Sequence, residues 1–177
     1  MQNRIVMDSR SISRTVLRIT NEILERNKGA SDLVIIGVRT RGVHLAERIR
    51  NAIKKLEGVE PPLGTLDITL YRDDLRRKTE WPKVEKTEIG FSVEDKVVIL
   101  VDDVVYTGRT TRAAIEEIMD FGRPSSIQLA VLVDRGHREL PIQPDYAGCG
   151  VDTLSTEKVR VHLKEKDGND DVLILQG

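Results

Sequence analysis

Three short, nearly unbroken apolar runs constrain this chain more than anything else in it: "LVIIGV" at 33–38, "VVILV" at 97–101 and "IQLAVLV" at 127–133. Each is too short for a buried helix, and each stops at a polar segment. Runs of this length without polar alternation suit strands covered on both faces. Between them the apolar spacing changes to a helical period. Ile12, Val16, Ile19 and Ile23 mark a helix over 11–27 that Gly29 would cap; Val43, Ala46, Ile49, Ile53 and Leu56 mark a second; Ala114, Ile115, Ile118 and Met119 mark a third that "FGRP" stops. Strands alternating with helices predict right-handed crossovers and a parallel sheet flanked by helices, an α/β fold.

Two further segments depart from this rhythm. "TLDITLY" at 65–71 alternates Leu66, Ile68 and Leu70 and predicts a strand, and the highly charged stretch 72–95 after it predicts an open, mobile excursion. At the end, Val159, Val161 and Leu163 alternate, "EKDGND" reads as a turn, and 172–175 completes a C-terminal hairpin. The 177 residues suit one domain. A net charge of −1 argues against bulk attraction to nucleic acid while leaving room for a local basic face. The one cysteine, Cys149, cannot form an internal disulfide, which points to the cytoplasm, and no apolar stretch reaches membrane-spanning length.

In open parallel sheets ligands sit beyond the carboxyl ends of the strands, which here means "RTRG" (39–42), "DDVVYTGRTT" (102–111) and "DRGHRE" (134–139). In the second, Thr107, Gly108, Arg109, Thr110 and Thr111 lead into a helix start. Glycine lets the backbone approach a ligand closely, and the helix N-terminus, hydroxyls and guanidinium favour an anion. The spacing is not that of a P-loop. Asp102 and Asp103 lie too close to want the same phosphate, but carboxylates accept hydrogen bonds from sugar hydroxyls, so ribose plus 5′-phosphate satisfies both halves. The residues leave alternatives open: a strand end with two acids can hold Mg²⁺ in a phosphatase or response regulator, the arginines of "RTRG" can be solvated surface groups instead of pyrophosphate donors, and a lone histidine such as His137 is more often a surface or structural residue than a general base. Trp81 and Tyr146 read as packing residues.

The stretch "VILVDDVVYTGRTTRAA" resembles the phosphoribosyl-pyrophosphate signature of the type I phosphoribosyltransferases. With "ERNKG", "DITLYRDDL", "FGRPSSIQLAVLVDRGHRELPI" and "DYAG", the resemblance extends to the pyrimidine operon regulator family over nearly the whole chain. It implies the type I phosphoribosyltransferase fold, with a flexible loop at about 72–95 and a small hood at about 134–160. The implied reaction makes UMP and pyrophosphate from uracil and phosphoribosyl pyrophosphate, with Mg²⁺ carried by the substrate and no direct metal ligand, in a homodimer or homotetramer. UMP-sensitive binding of a pyrimidine-operon leader RNA is implied as well.

Carried over residue by residue, the resemblance makes Asp102 and Asp103 the acids on the ribose hydroxyls. Tyr106, Thr107, Gly108, Arg109 and Thr110 surround the 5′-phosphate, Val104 and Val105 join them in binding substrate, and Arg39, Thr40 and Arg41 form the pyrophosphate loop. Arg41 joins the two acids as catalytic. A cis peptide is expected in that loop, with Gly42 permitting the turn. Arg135 and Val159 belong to the hood over the base, and Tyr71, Arg72 and Asp73 begin the covering loop. Tyr106 stands where purine transferases usually carry an acid, which favours a pyrimidine. For RNA, Arg14 and Arg18 share one side of the first helix and Arg138 is retained, but Leu17, Asn21, Gln143 and Cys149 stand where small polar, histidine or basic residues are expected.

Overall fold

A computed structural model describes residues 3–68 and 86–176. In chain order the elements are β1 (Arg4–Met7), α1 (Ser9–Asn27), β2 (Leu33–Val38), α2 (Arg41–Glu57), β3 (Leu63–Leu66), β4 (Val97–Val105), α3 (Arg109–Asp120), β5 (Ser126–Asp134), β6 (Tyr146–Gly150), β7 (Lys158–His162), α4 (Lys164–Asp167) and β8 (Asp171–Leu175). Five strands form a sheet in the order β3-β2-β4-β5-β6, with every neighbouring pair parallel. The three apolar runs are its centre. Because side chains alternate along a strand, Val34, Ile36, Val98, Leu100, Leu129 and Val131 pack with Ala113, Ala114 and Ile118 of α3. The intervening Ile35, Ile99, Val101, Ala130 and Leu132 pack with Ile12, Ile19 and Ile23 of α1 and Leu45, Ala46, Ile49 and Ile53 of α2. Covering both faces explains why the runs carry almost no polar residue.

A second sheet, β1-β8-β7, is antiparallel and adds Val161, Leu163 and Val172 to the core on the α1–α2 side. It contains the expected C-terminal hairpin, with two differences. The connection 164–167 is a short helical turn, and β1, which the polar N-terminal sequence did not announce, pairs with β8 from Arg4 opposite Ile174. β6 also escaped the sequence reading, because "YAGCG" has no apolar run. Gly148 is required there: a Cβ would lie 2.3 Å from the Leu132 carbonyl oxygen.

Other expectations shift in detail. Helix α1 begins at Ser9, capped by the Asp8 carboxylate accepting from the Ser11 N–H at 2.7 Å, and its left-handed terminal residue is Lys28 (φ 55°), one before Gly29. The strand expected over 65–71 lies earlier, at Leu63–Leu66; Ile68 is buried beyond its end, and Leu70 lies outside the described residues. Trp81 and most of the charged excursion also lie outside them, but its last part is ordered fold. Thr65 and Glu88 exchange backbone hydrogen bonds of 2.9 and 2.8 Å, Val93 is fully buried, and Ile89 and Phe91 pack on the core beside it. The alternation Ile89, Phe91, Val93 was the overlooked signal. Tyr146 is buried as expected, its hydroxyl donating to Gln128 Oε1 at 2.6 Å. No helix among the described residues is long and apolar enough to cross a membrane.

Candidate active site

The carboxyl ends of β2 and β4 open onto one cavity of about 630 Å³. Its walls bring together Arg39, Thr40 and Arg41 after β2, the whole segment from Asp102 to Thr111 at the end of β4, and Val159 from β7. Two arginine-flanked loops far apart in sequence become neighbours because β2 and β4 are adjacent parallel strands that end at the same edge.

The acid pair is fixed by its own backbone. Asp103 N–H donates to Asp102 Oδ1 and Val104 N–H to Asp103 Oδ1, each at 2.8 Å. Asp102 is buried and Asp103 half-buried. Val105 is buried, and its carbonyl accepts from the Arg135 N–H at 2.9 Å. The chain then turns through Gly108 at φ +92°, a left-handed conformation that favours glycine, and α3 starts without a side-chain cap. The positive end of α3 therefore faces the cavity with Thr110 and Thr111 around it.

The loop after β5 buttresses this turn. The N–H groups of Glu139 and Leu140 both donate to the Thr107 carbonyl, at 2.9 and 3.2 Å, and the Glu139 carboxylate accepts from Arg109 Nε at 2.6 Å. Arg138, expected to face RNA, has its guanidinium enclosed within this loop: it donates to both Asp134 carboxylate oxygens at 2.8 Å, to the Tyr106 carbonyl at 2.9 Å and to the Ile142 carbonyl at 2.7 Å. Its contribution to any outer face is through the shape of the loop. Arg135 is the other arm. Its guanidinium lies 3.8 Å above the Tyr106 ring, a cation–π geometry, while Nη2 donates to the Glu157 carbonyl at 2.5 Å. It does not line the main cavity; it borders another of about 420 Å³ with Gly150 to Thr153. His137 meets the Tyr106 ring edge-on at 5.8 Å, and its Nε2 sits 2.8 Å from the Thr153 carbonyl. A carbonyl only accepts, so Nε2 is the donor in this contact.

The loop after β2 has a cis peptide between Arg39 and Thr40, as expected. Gly42 serves differently from expectation: it is inside α2, and a Cβ would lie 2.6 Å from the Val101 carbonyl oxygen, so glycine lets the helix start press against β4. The two arginine side chains turn to protein partners. Arg39 donates to the Thr65 hydroxyl and the Lys86 carbonyl, both at 3.2 Å, and Arg41 forks onto Asp167, Nε to Oδ2 at 3.0 Å and Nη2 to Oδ1 at 2.7 Å. The hydrogen bonds from Arg41 hold the Asp167 carboxyl down at about 2. Sequence reading missed Asp167 and Glu139, since nothing in their local pattern separates them from the other surface acids. Tyr71, Arg72 and Asp73 lie outside the described residues.

On the expected RNA side, Arg14 is exposed on α1, whereas Arg18 bonds Glu22 Oε1 at 2.7 Å and the Gly148 carbonyl at 2.6 Å. Leu17 is exposed between them. Asn21 bonds the Leu17 carbonyl, Gln143 is exposed, and Cys149 is half-buried with burial pushing its thiol up.

Residues 5–165 match the phosphoribosyl transferase domain family. The chain is 56% identical over 171 residues to a bifunctional protein PyrR of Thermoanaerobacter sp. (strain X514), covering 97% of this chain and 96% of that one. It is 50% identical over 177 residues to the bifunctional protein PyrR of Enterococcus faecalis, covering 100% and 99%. Among solved structures it is similar in fold to a hypoxanthine phosphoribosyltransferase of Trypanosoma cruzi, with a TM-score of 0.74 at 18% identity, covering 98% of this chain and 96% of that one.

Proposed function

Because this chain belongs to the phosphoribosyl transferase domain family, and within it to the bifunctional PyrR proteins, we propose that it transfers ribose 5-phosphate from phosphoribosyl pyrophosphate to uracil, forming UMP and pyrophosphate. The observation that carries this reading is the single cavity in which the acid pair, the glycine turn into α3 and the loop after β2 meet. Asp102 and Asp103 accept from the ribose hydroxyls. The 5′-phosphate sits in the turn from Tyr106 to Thr110, over Val104 and Val105, and the pyrophosphate lies along Arg39, Thr40 and Arg41 at the start of α2. Arg135, stacked on Tyr106, and Val159 border the base. Residues 134–160 act as a hood within one domain.

Displacement at the anomeric carbon breaks the bond to the pyrophosphate oxygen and forms one to a uracil nitrogen through an oxocarbenium-like state, the nitrogen's proton passing to solvent. Placement and charge neutralisation supply the rate, and no protein nucleophile is required. Mg²⁺ bound with the pyrophosphate would neutralise its charge, and the hard carboxylate oxygens of Asp102 and Asp103 would suit a magnesium complex held nearby. The test is incubation with Mg²⁺, phosphoribosyl pyrophosphate and each base in turn. UMP is expected. Preference for guanine or hypoxanthine would overturn the assignment.

A second activity is supported by identity of 50% and more to proteins named bifunctional, over almost the full length. It is UMP-sensitive binding of a pyrimidine-operon leader RNA, with Arg14 and Arg18 of α1 on the contact face, by a homodimer or homotetramer in the cytoplasm. Phosphate contacts make such binding fall steeply with salt. Titration of a leader hairpin at two salt concentrations, with and without UMP, tests it; tight binding indifferent to UMP would refute the sensor.

A further inference from the structure

Two arginines seven residues apart on α2, Arg41 and Arg48, reach to the connection between β7 and β8, but they meet different surroundings. Arg48 is gripped by Glu165, from Nη2 at 2.6 Å, and by Asp170, from Nη2 at 2.7 Å, away from the cavity. Arg41 lines the cavity, lies within electrostatic reach of Asp103, and forks onto Asp167. Asp167 is itself held: its Oδ2 also accepts from the Leu163 N–H at 2.9 Å, and its own N–H donates to the Leu163 carbonyl at 2.7 Å. Only 16% of its side chain is exposed.

We propose that Asp167 is a positioning residue of the pyrophosphate site: from the β7–β8 connection it fixes the Arg41 guanidinium so that the donors the fork leaves over face the leaving pyrophosphate. The inference rests on the reading of the loop after β2 as the pyrophosphate loop. A guanidinium has five N–H donors in a rigid plane, and the fork uses Nε and one of Nη2, so Nη1 remains for a ligand. Pinning one edge of the plane removes the rotamer freedom of a long side chain before substrate arrives, which favours binding. The same fork joins the small sheet that carries Val159 to the start of α2.

The experiment measures magnesium pyrophosphate binding by calorimetry, together with the KM values for phosphoribosyl pyrophosphate and for uracil. The unmodified protein is compared with Asp167→Asn and with Glu165→Gln. Asp167→Asn is expected to weaken pyrophosphate binding and raise the KM for phosphoribosyl pyrophosphate by about tenfold, as for loss of one charge-assisted hydrogen-bonded partner, with the KM for uracil unchanged. Glu165→Gln is expected to lower the thermal midpoint while leaving pyrophosphate affinity as it was. In an Arg41→Gln background, Asp167→Asn should add nothing further, because the two act as one unit. Unchanged or tighter pyrophosphate binding by Asp167→Asn would overturn the proposal, tighter binding meaning that the carboxylate competes with the ligand for Arg41. An equal loss of affinity in Glu165→Gln would also overturn it, reducing the fork to a structural tie. If the unmodified protein fails to bind pyrophosphate at all, the reading of the site falls and takes this inference with it.

Discussion

The turn after β4 and the loop after β2 face each other across one cavity, yet they are held in shape by different means. The turn from Asp102 to Thr110 is largely self-made: adjacent N–H groups orient the two carboxylates, Gly108 supplies the left-handed bend, and the neighbouring strand's loop supports the Thr107 carbonyl. The loop after β2 makes little of its own order. It depends on Asp167 on one side and on Thr65 and Lys86 on the other, and on α2 lying against β4 at Gly42. A local motif can be moved or mutated as a unit. A loop held from three distant elements instead transmits what happens to any of them.

The largest expected effect tests the self-contained side. Replacing Asp102 and Asp103 together by Asn keeps the shape and one acceptor oxygen at each position but removes the charge, and should cut kcat/KM for UMP formation by about 10²–10³, or roughly 3–4 kcal/mol of transition-state stabilisation. Thermal melting should show the fold retained. Activity within a few-fold of normal would mean that the turn is not where the ribose is held.

Next in size is a pair of glycine substitutions that compares the two regions in stability. Gly42→Ala drives a methyl to 2.6 Å from the Val101 carbonyl oxygen, backbone against backbone, so about 1–3 kcal/mol of overpacking is expected and the thermal midpoint should fall by several degrees. Gly108→Ala meets side-chain atoms of Leu140 and Ile142 at 3.4 Å and beyond, ordinary contact, so its cost is the strain of alanine at φ +92°, about 1 kcal/mol. Melting curves should therefore rank Gly42→Ala as the more damaging. The reverse order would mean that α2 can slide off β4 more cheaply than its contacts suggest.

A smaller effect is expected at Arg135, which is proposed to border the base. Arg135→Lys keeps the charge but loses the flat guanidinium over Tyr106 and the donor to the Glu157 carbonyl. A rise of about five- to tenfold in the KM for uracil is expected, on the order of 1 kcal/mol, with pyrophosphate affinity unchanged. A change confined to pyrophosphate would place Arg135 with the other loop.

How much of this was legible follows the same division. The central strands, the three large helices and the residues gathered around the cavity were readable because their determinants are local: apolar runs, a helical period, and acids, glycine and hydroxyls within ten positions. β1 and β6 were not, since four residues of "RIVM" and a glycine-rich "YAGCG" become strands only through partners far along the chain. The partners of Arg39, Arg41 and Arg138 were equally hidden. An arginine at a strand end reads as a phosphate donor whether or not a carboxylate 126 positions away has already claimed part of it. Local chemistry named the turn after β4, whereas only the tertiary fold could reveal what restrains the loop after β2.

A titration isolates that restraint. The Arg41 hydrogen bonds hold the folded Asp167 carboxyl at about 2, below its ordinary 3.8, so its ionised form is favoured more in the folded chain than in the unfolded one. The resulting stability is complete above the ordinary value and is lost as pH falls through about 2. Glu165, bonded by Arg48, is also depressed, and so is Asp170, where burial pushes up but the Arg48 and Lys164 hydrogen bonds outweigh it; acid therefore loosens the whole β7–β8 connection from α2. Urea midpoints between pH 5 and pH 2 should decline less steeply for Asp167→Asn than for the unmodified protein, the two curves converging at the acid end by about 1–2 kcal/mol. Between pH 6 and 9 Asp167 stays ionised, so its removal should lower activity by a constant factor without reshaping the pH profile. Parallel urea curves from pH 5 to pH 2 would show that the fork adds nothing to stability, and would leave pyrophosphate placement as the reason for holding Arg41.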